Sequence, residues 1–191
     1  LLPGWEKTRS WIVARPLSGF SETFSHYLME LESGGGSSSP EPDNSAEAVL
    51  FIVKGQLSLE LDGKSKELNE GSYAYIPCDT IWTVKNATEN LVKFHWIRKS
   101  YEFVDGLDKP DFLVVNEQNV VPYDMPNTNG RWSTTRFFEP QDLRHDMHVN
   151  IVNILPGAGI PFPETHVMEH GIYILQGRGL YYLNGDWVEV E

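Results

Sequence analysis

Ala48-Val49-Leu50-Phe51-Ile52-Val53, then Gly55, Gln56-Leu57-Ser58-Leu59-Glu60-Leu61 and the turn pair Asp62-Gly63 decide the fold class. Two short β-rich runs closed by Asp-Gly are a hairpin signal. The theme recurs at 72–76 after Gly71, and at 92–97, 149–155, 171–175 and 180–183, the last before Asn184-Gly185. No stretch sustains a 3.6-residue apolar period, and only 140–144 is expected to form a helical turn. Many short strands with hairpin turns between them predict an all-β antiparallel sandwich or barrel.

The opening run also has a second copy. With Gly55 placed on Gly177, 122 residues apart, Leu50-Phe51-Ile52-Val53-Lys54-Gly55 falls on Ile172-Tyr173-Ile174-Leu175-Gln176-Gly177, and Leu61-Asp62-Gly63 on Leu183-Asn184-Gly185. Two copies of one β unit are implied. The chain opens on Leu1-Leu2-Pro3-Gly4 without Met and stops at Glu191, so the second copy is expected to be incomplete. The expected organisation is a first β domain over 1–104, an interdomain connection over 105–130 and a truncated second domain over 131–191. Pro110, Pro122, Pro126 and Asn127-Thr128-Asn129-Gly130 mark the connection. Gly34-Gly35-Gly36-Ser37-Ser38-Ser39-Pro40-Glu41-Pro42 is expected to be a flexible surface loop.

Across 191 residues, 15 Lys and Arg stand against 27 Asp and Glu, a net charge of −12. A phosphate-tracking surface needs a basic stripe, so nucleic acid and anionic membranes are not expected partners. No apolar run approaches the roughly 20 residues of a membrane-spanning helix. The one cysteine, Cys78, excludes an internal disulfide framework and a CxxC zinc site. Any metal must therefore be held by His and carboxylates.

The residues that carry chemistry are Glu164-Thr165-His166-Val167-Met168-Glu169-His170-Gly171, followed by Gly177. On a strand, i and i+2 share a face, so Glu164 and His166 project together, and His170 keeps that parity. One carboxylate and two imidazoles suit Mn²⁺, Fe²⁺, Ni²⁺ or Zn²⁺ without choosing among them. His148 and Asn150, two apart, are expected on one strand face where they can line the pocket or support ligands. His26 and His95 are expected to be structural, and Cys78 inert. Trp5, Trp11, Trp82 and Trp96 are expected to fill a core or an oligomer contact.

This spacing resembles the first cupin motif, His-x-His, three or four residues, Glu, six residues, Gly, with Glu164, His166 and His170 on the ligand positions and Gly177 closing it. The first copy resembles the second cupin motif in Gly71, Pro77, Asp79, Trp82 and Asn86, with Asp79 in place of a glycine and Trp82 in place of a histidine ligand. Its counterparts of the three ligands are Pro42, Asn44 and Ala48, so the resemblance implies two tandem jelly-roll barrels, the first metal-free.

More specifically, Glu164-Thr165-His166-x3-His170-Gly171, preceded by Leu155-Pro156-Gly157-Ala158 and followed by Gly179-x-Tyr181 and Asp186-Trp187, resembles the bicupin (S)-ureidoglycine aminohydrolases. Further similarity in Leu2-Pro3-Gly4-Trp5, Gly71-Ser72-Tyr73-Ala74-Tyr75-Ile76-Pro77 and Arg98-Lys99-Ser100-Tyr101 extends it along nearly the whole chain. The resemblance implies Mn²⁺ bound by Glu164, His166 and His170, and Tyr181 contacting a small ureido substrate. Glu164 is alternatively the base. The implied reaction is hydrolysis of (S)-ureidoglycine to (S)-ureidoglycolate and ammonia, by a cytoplasmic homo-oligomer in allantoin degradation. The family's fourth ligand, a glutamine, falls past Glu191. A different metal-dependent cupin reaction, dioxygenase or isomerase, and a non-catalytic ligand-binding bicupin are the competing readings.

Overall fold

The computed structural model describes residues 2–16 and 23–191. Nine strands form one sheet: β1 (Glu6–Ala14), β2 (Phe24–Ser37), β3 (Ala46–Lys54), β4 (Gln56–Leu61), β5 (Lys64–Asn69), β6 (Ser72–Ile76), β7 (Trp82–Lys85), β8 (Val92–Ser100) and β9 (Leu113–Asn116). The order is β5-β4-β7-β2-β8-β3-β6-β9, with β1 paired to β2, and every pairing is antiparallel. The sheet curls into a nearly closed barrel. A single 3-10 turn (Glu117–Asn119) follows β9, the strand that 105–130 adds to the edge of this sheet.

The remaining strands are β10 (Tyr123–Asp124), β11 (Trp132–Thr135) and β12 (Ile151–Ile154) in one small sheet, and β13 (Gly179–Leu183) with β14 (Asp186–Val190) in a hairpin. They do not form a second barrel. Both hairpin signals are obeyed: Asp62 and Gly63 join β4 to β5, Asn184 and Gly185 join β13 to β14, and all four have positive φ.

Alternation along the strands separates two packed faces. Ala48, Leu50 and Ile52 of β3, Met29 and Leu31 of β2, Leu57 and Leu59 of β4, and Phe94 and Trp96 of β8 fill the barrel interior. Trp5, Trp82 and Trp96 belong to this core, with Trp5 and Trp96 ring centroids 5.4 Å apart, whereas Trp11 is exposed. The histidine-ligand position of the motif thus holds a buried indole. Asp79, at the motif's glycine position, has φ +57°, a left-handed conformation that Asp tolerates. Asn86 is fully buried and donates to the carbonyls of Leu31, Glu32 and Asn90, while its Oδ1 accepts from Thr88. It ties the middle of β2 to the loop before β8.

The outer face is covered as well. Val49 and Phe51 of β3, Tyr73 and Tyr75 of β6 and Ile97 of β8 pack against Phe137 and Met147 from the C-terminal half. Tyr73 stacks on Phe137 with centroids 4.0 Å apart. Glu47 is fully buried on this face, where Tyr75 Oη donates to its Oε2 at 2.7 Å. Asp146 Oδ2 accepts from Lys99 Nζ (2.8 Å) and the Glu102 backbone N–H (2.9 Å). Among the described residues, Glu47 Oε1 and Asp146 Oδ1 receive no donor from any other group. A proton held by Glu47 and donated to Asp146 satisfies both oxygens. Burial and this bond push the Glu47 carboxyl up to about 9.

Three local expectations are corrected. The glycines 34–36 lie within β2 and not in a flexible loop, because three strands converge there. A Cβ on Gly35 would sit 2.7 Å from the Lys7 carbonyl oxygen, and one on Gly36 2.1 Å from that of Val84. Residues 140–144 form turns, with Asp142 N–H donating to Glu139 O and His145 N–H to Asp142 O, and no helix. Residues 171–175 pair with no strand.

Two outcomes are expected. Gly36→Ala clashes with β7 and should destabilise the chain by on the order of 2–4 kcal/mol, read from urea unfolding. The Glu47 carboxyl titrates near 4.5 unfolded and about 9 folded, so its stabilisation is complete at acid pH and is lost as pH rises toward 9. Glu47→Gln, a neutral group with the same hydrogen-bonding reach, should flatten the fall in urea midpoint between pH 5 and 9. A fall parallel to wild type would contradict this.

Candidate metal and substrate site

The ligand stretch runs without strand partners between β12 and β13. Glu164, His166 and His170 are all exposed. The two imidazoles stand face to face at an angle, centroids 4.4 Å apart and planes inclined by 52°. Tyr181, on β13, is half-buried, and its hydroxyl titrates above the usual phenol value, first through burial and then through the negative charge of Glu164. A neutral phenol beside a carboxylate is a hydrogen-bond donor at physiological pH.

The chemistry of this donor set suits a divalent cation. Its assembly does not go as far as the sequence spacing predicts. Among the described residues no three His, Cys, Asp or Glu side chains are gathered as a metal site. The two histidines are brought together and Glu164 is not gathered with them. Strand parity fails as the organising rule because no partner strand imposes a pleat on 164–170.

The other sequence candidates resolve as follows. His148 and Asn150 precede β12, are exposed, and lie on no strand. His148 stands edge-on to Phe138 at 6.2 Å. Cys78 is buried, and burial raises its thiol above the ordinary value, consistent with an inert side chain. His26 and His95 are buried on the outer face of the barrel, with His26 Nε2 and His95 Nδ1 2.9 Å apart. Burial lowers both imidazoles to about 4, and at His26 the neighbouring His95 adds to the effect.

A hollow of about 290 Å³ is lined by Phe137, Phe138, Asp142, Arg144 and His145 among others. None of Glu164, His166, His170 and Tyr181 lines it, and Asp142 binds the Arg144 guanidinium through both oxygens.

Residues missed from sequence are Thr23, Tyr173, Glu47 and Asp146. Glu47 had a signal, as one charge inside the apolar strand at 46–53. Thr23 and Tyr173 had none, because their partners are 146 and 78 residues away.

A cupin-domain family profile matches residues 27–98. The chain is 31% identical, over its whole length, to (S)-ureidoglycine aminohydrolase of Escherichia coli K12, of which it covers 71%. It is 29% identical to the Arabidopsis thaliana enzyme of the same name and spans 61% of that relative's length. A crystal structure from Pseudomonas aeruginosa, of a protein described as glyoxylate induced, superposes with a TM-score of 0.93 at 57% identity. That match covers all of this chain and 72% of the other.

The buried imidazole pair gives a prediction. Unfolded histidines bind protons near 6.5 and these two only near 4, so the stability they allow is lost as pH falls through that window. Two histidine NMR resonances should titrate near pH 4, and His26→Leu/His95→Leu should reduce the acid-side loss of stability. Two resonances titrating near 6.5 would contradict the burial.

Proposed function

This chain belongs to the (S)-ureidoglycine aminohydrolase family, and on that premise we propose that it carries the ligand half of an enzyme that hydrolyses (S)-ureidoglycine. Water adds, the bond to the amino nitrogen breaks, and (S)-ureidoglycolate and ammonia leave. The observation that carries the proposal is the paired His166 and His170 with Tyr181 charge-coupled to Glu164, on the residues that match the family motif.

His166 and His170, with Glu164 brought beside them, are the groups we propose to hold a divalent cation, Mn²⁺ by family resemblance. Bound, such a cation supplies a Lewis acid that offsets developing negative charge. Tyr181, kept neutral by burial and by Glu164, donates a hydrogen bond to a carboxylate or ureido oxygen of the substrate. The first barrel binds no substrate in this reading, since its interior is filled by side chains.

Elemental analysis and an ammonia-release assay on the full-length protein test the proposal together. Wild type is expected to carry Mn²⁺ and release ammonia above the spontaneous rate. His166→Ala should lower metal content and reduce release by a factor of at least about 100. Metal-loaded protein with no release would overturn the substrate assignment.

A further inference from the structure

The first barrel touches the ligand stretch through alternate residues. Glu169 Oε2 accepts hydrogen bonds from the backbone N–H (3.0 Å) and Oγ1 (2.7 Å) of Thr23, immediately before β2. Gly171 lies against the ring of Phe24, where a Cβ would come within 3.0 Å of the ring carbons. Tyr173 stands edge-on to His95 at 4.4 Å and to His26 at 6.3 Å. Residues 169, 171 and 173 thus rest on the N-terminal half. His166 and His170 are exposed and pair with each other.

The seat itself is rigid by construction. His26 lies opposite Ile97 and His95 opposite Phe51, so the imidazole pair spans β2 and β8 at the centre of the sheet. Both histidines are more than nine-tenths buried, and His95 Nε2 meets no hydrogen-bond partner among the described residues. Such a pair, hydrogen-bonded across two central strands, cannot shift without the sheet shifting.

We propose that Thr23, Phe24, His26 and His95 form a seat on the outer face of the metal-free barrel that positions the His166–His170 pair by gripping Glu169, Gly171 and Tyr173. These are positioning residues and touch no substrate. The seat grips only the C-terminal flank of the stretch, which accounts for two paired imidazoles with Glu164 not gathered beside them. The barrel without ligands therefore has a role in the reaction beyond solubility or packing. The link to metal binding rests on the ligand reading above. The seat itself does not.

The test uses the full-length protein with Thr23→Val, Glu169→Ala and Tyr173→Ala, and the conservative Thr23→Ser and Glu169→Gln. Backbone ¹⁵N order parameters are followed over 164–173 and, as an internal standard, over β3 and β8. Mn²⁺ affinity is read by electron paramagnetic resonance of the free ion, with His166→Ala alongside. The three disruptive variants should lower the order parameters of 164–173 from about 0.85 to below about 0.6 with β3 and β8 unchanged, and weaken Mn²⁺ binding about 10- to 100-fold. Thr23→Ser and Glu169→Gln keep the hydrogen bonds and should behave as wild type. Unchanged order parameters over 164–173 in all three variants would overturn the seat, as would a fall shared equally by β3 and β8. If wild type does not bind Mn²⁺, or His166→Ala binds it equally well, the ligand reading fails, and the order parameters still decide the seat.

Discussion

Strand β3 is buried on both faces, and most of the structure follows from that. Seven successive residues, from Ala46 to Ile52, are buried, although an isolated barrel would leave every second one in water. Ala48, Leu50 and Ile52 close the barrel from within. Glu47, Val49 and Phe51 point outward into the C-terminal half, so the outer face is an interface and not a surface. The neighbours obey the same rule. β6 turns Ala74 and Ile76 inward and Tyr73 and Tyr75 outward, and β8 turns Phe94 and Trp96 inward and His95 and Ile97 outward.

Double burial explains why polar groups on that face are perturbed. A carboxylate facing water from a barrel exterior needs no partner. Glu47 does not face water, and it satisfies its desolvation cost by holding a proton and bonding Tyr75 and Asp146. The His26–His95 pair resolves the same problem by staying neutral. Both arrangements tie the two halves of the chain together without a net buried charge at those side chains, a practical solution in a chain whose net charge is −12.

Much of this was legible in the sequence. The all-β class followed from hairpin signals that the structure places in turns with positive φ at 62–63 and 184–185. Trp82 in a ligand position foretold a filled interior, and Asp79 in a glycine position adopts the left-handed conformation that the motif requires. What failed did so for physical reasons. Gly34-Gly35-Gly36 reads as a loop in one dimension, yet these glycines are demanded by the close approach of strands distant in sequence. The parity argument for Glu164, His166 and His170 assumed a pleated strand, and pleating requires a hydrogen-bonded neighbour that 164–178 lacks. The contacts from Thr23 and His95 join positions too far apart for any local pattern to reveal.

The doubly buried barrel sheet is the rigid body on which the rest of the chain is organised. Native-state amide hydrogen exchange across all described strands tests it most directly. β3, β6 and β8 should exchange only through global unfolding, while 155–178 and β13–β14 exchange through local opening several kcal/mol cheaper. Equal protection of β3 and β13, or faster exchange in β3 than in β1, would contradict it.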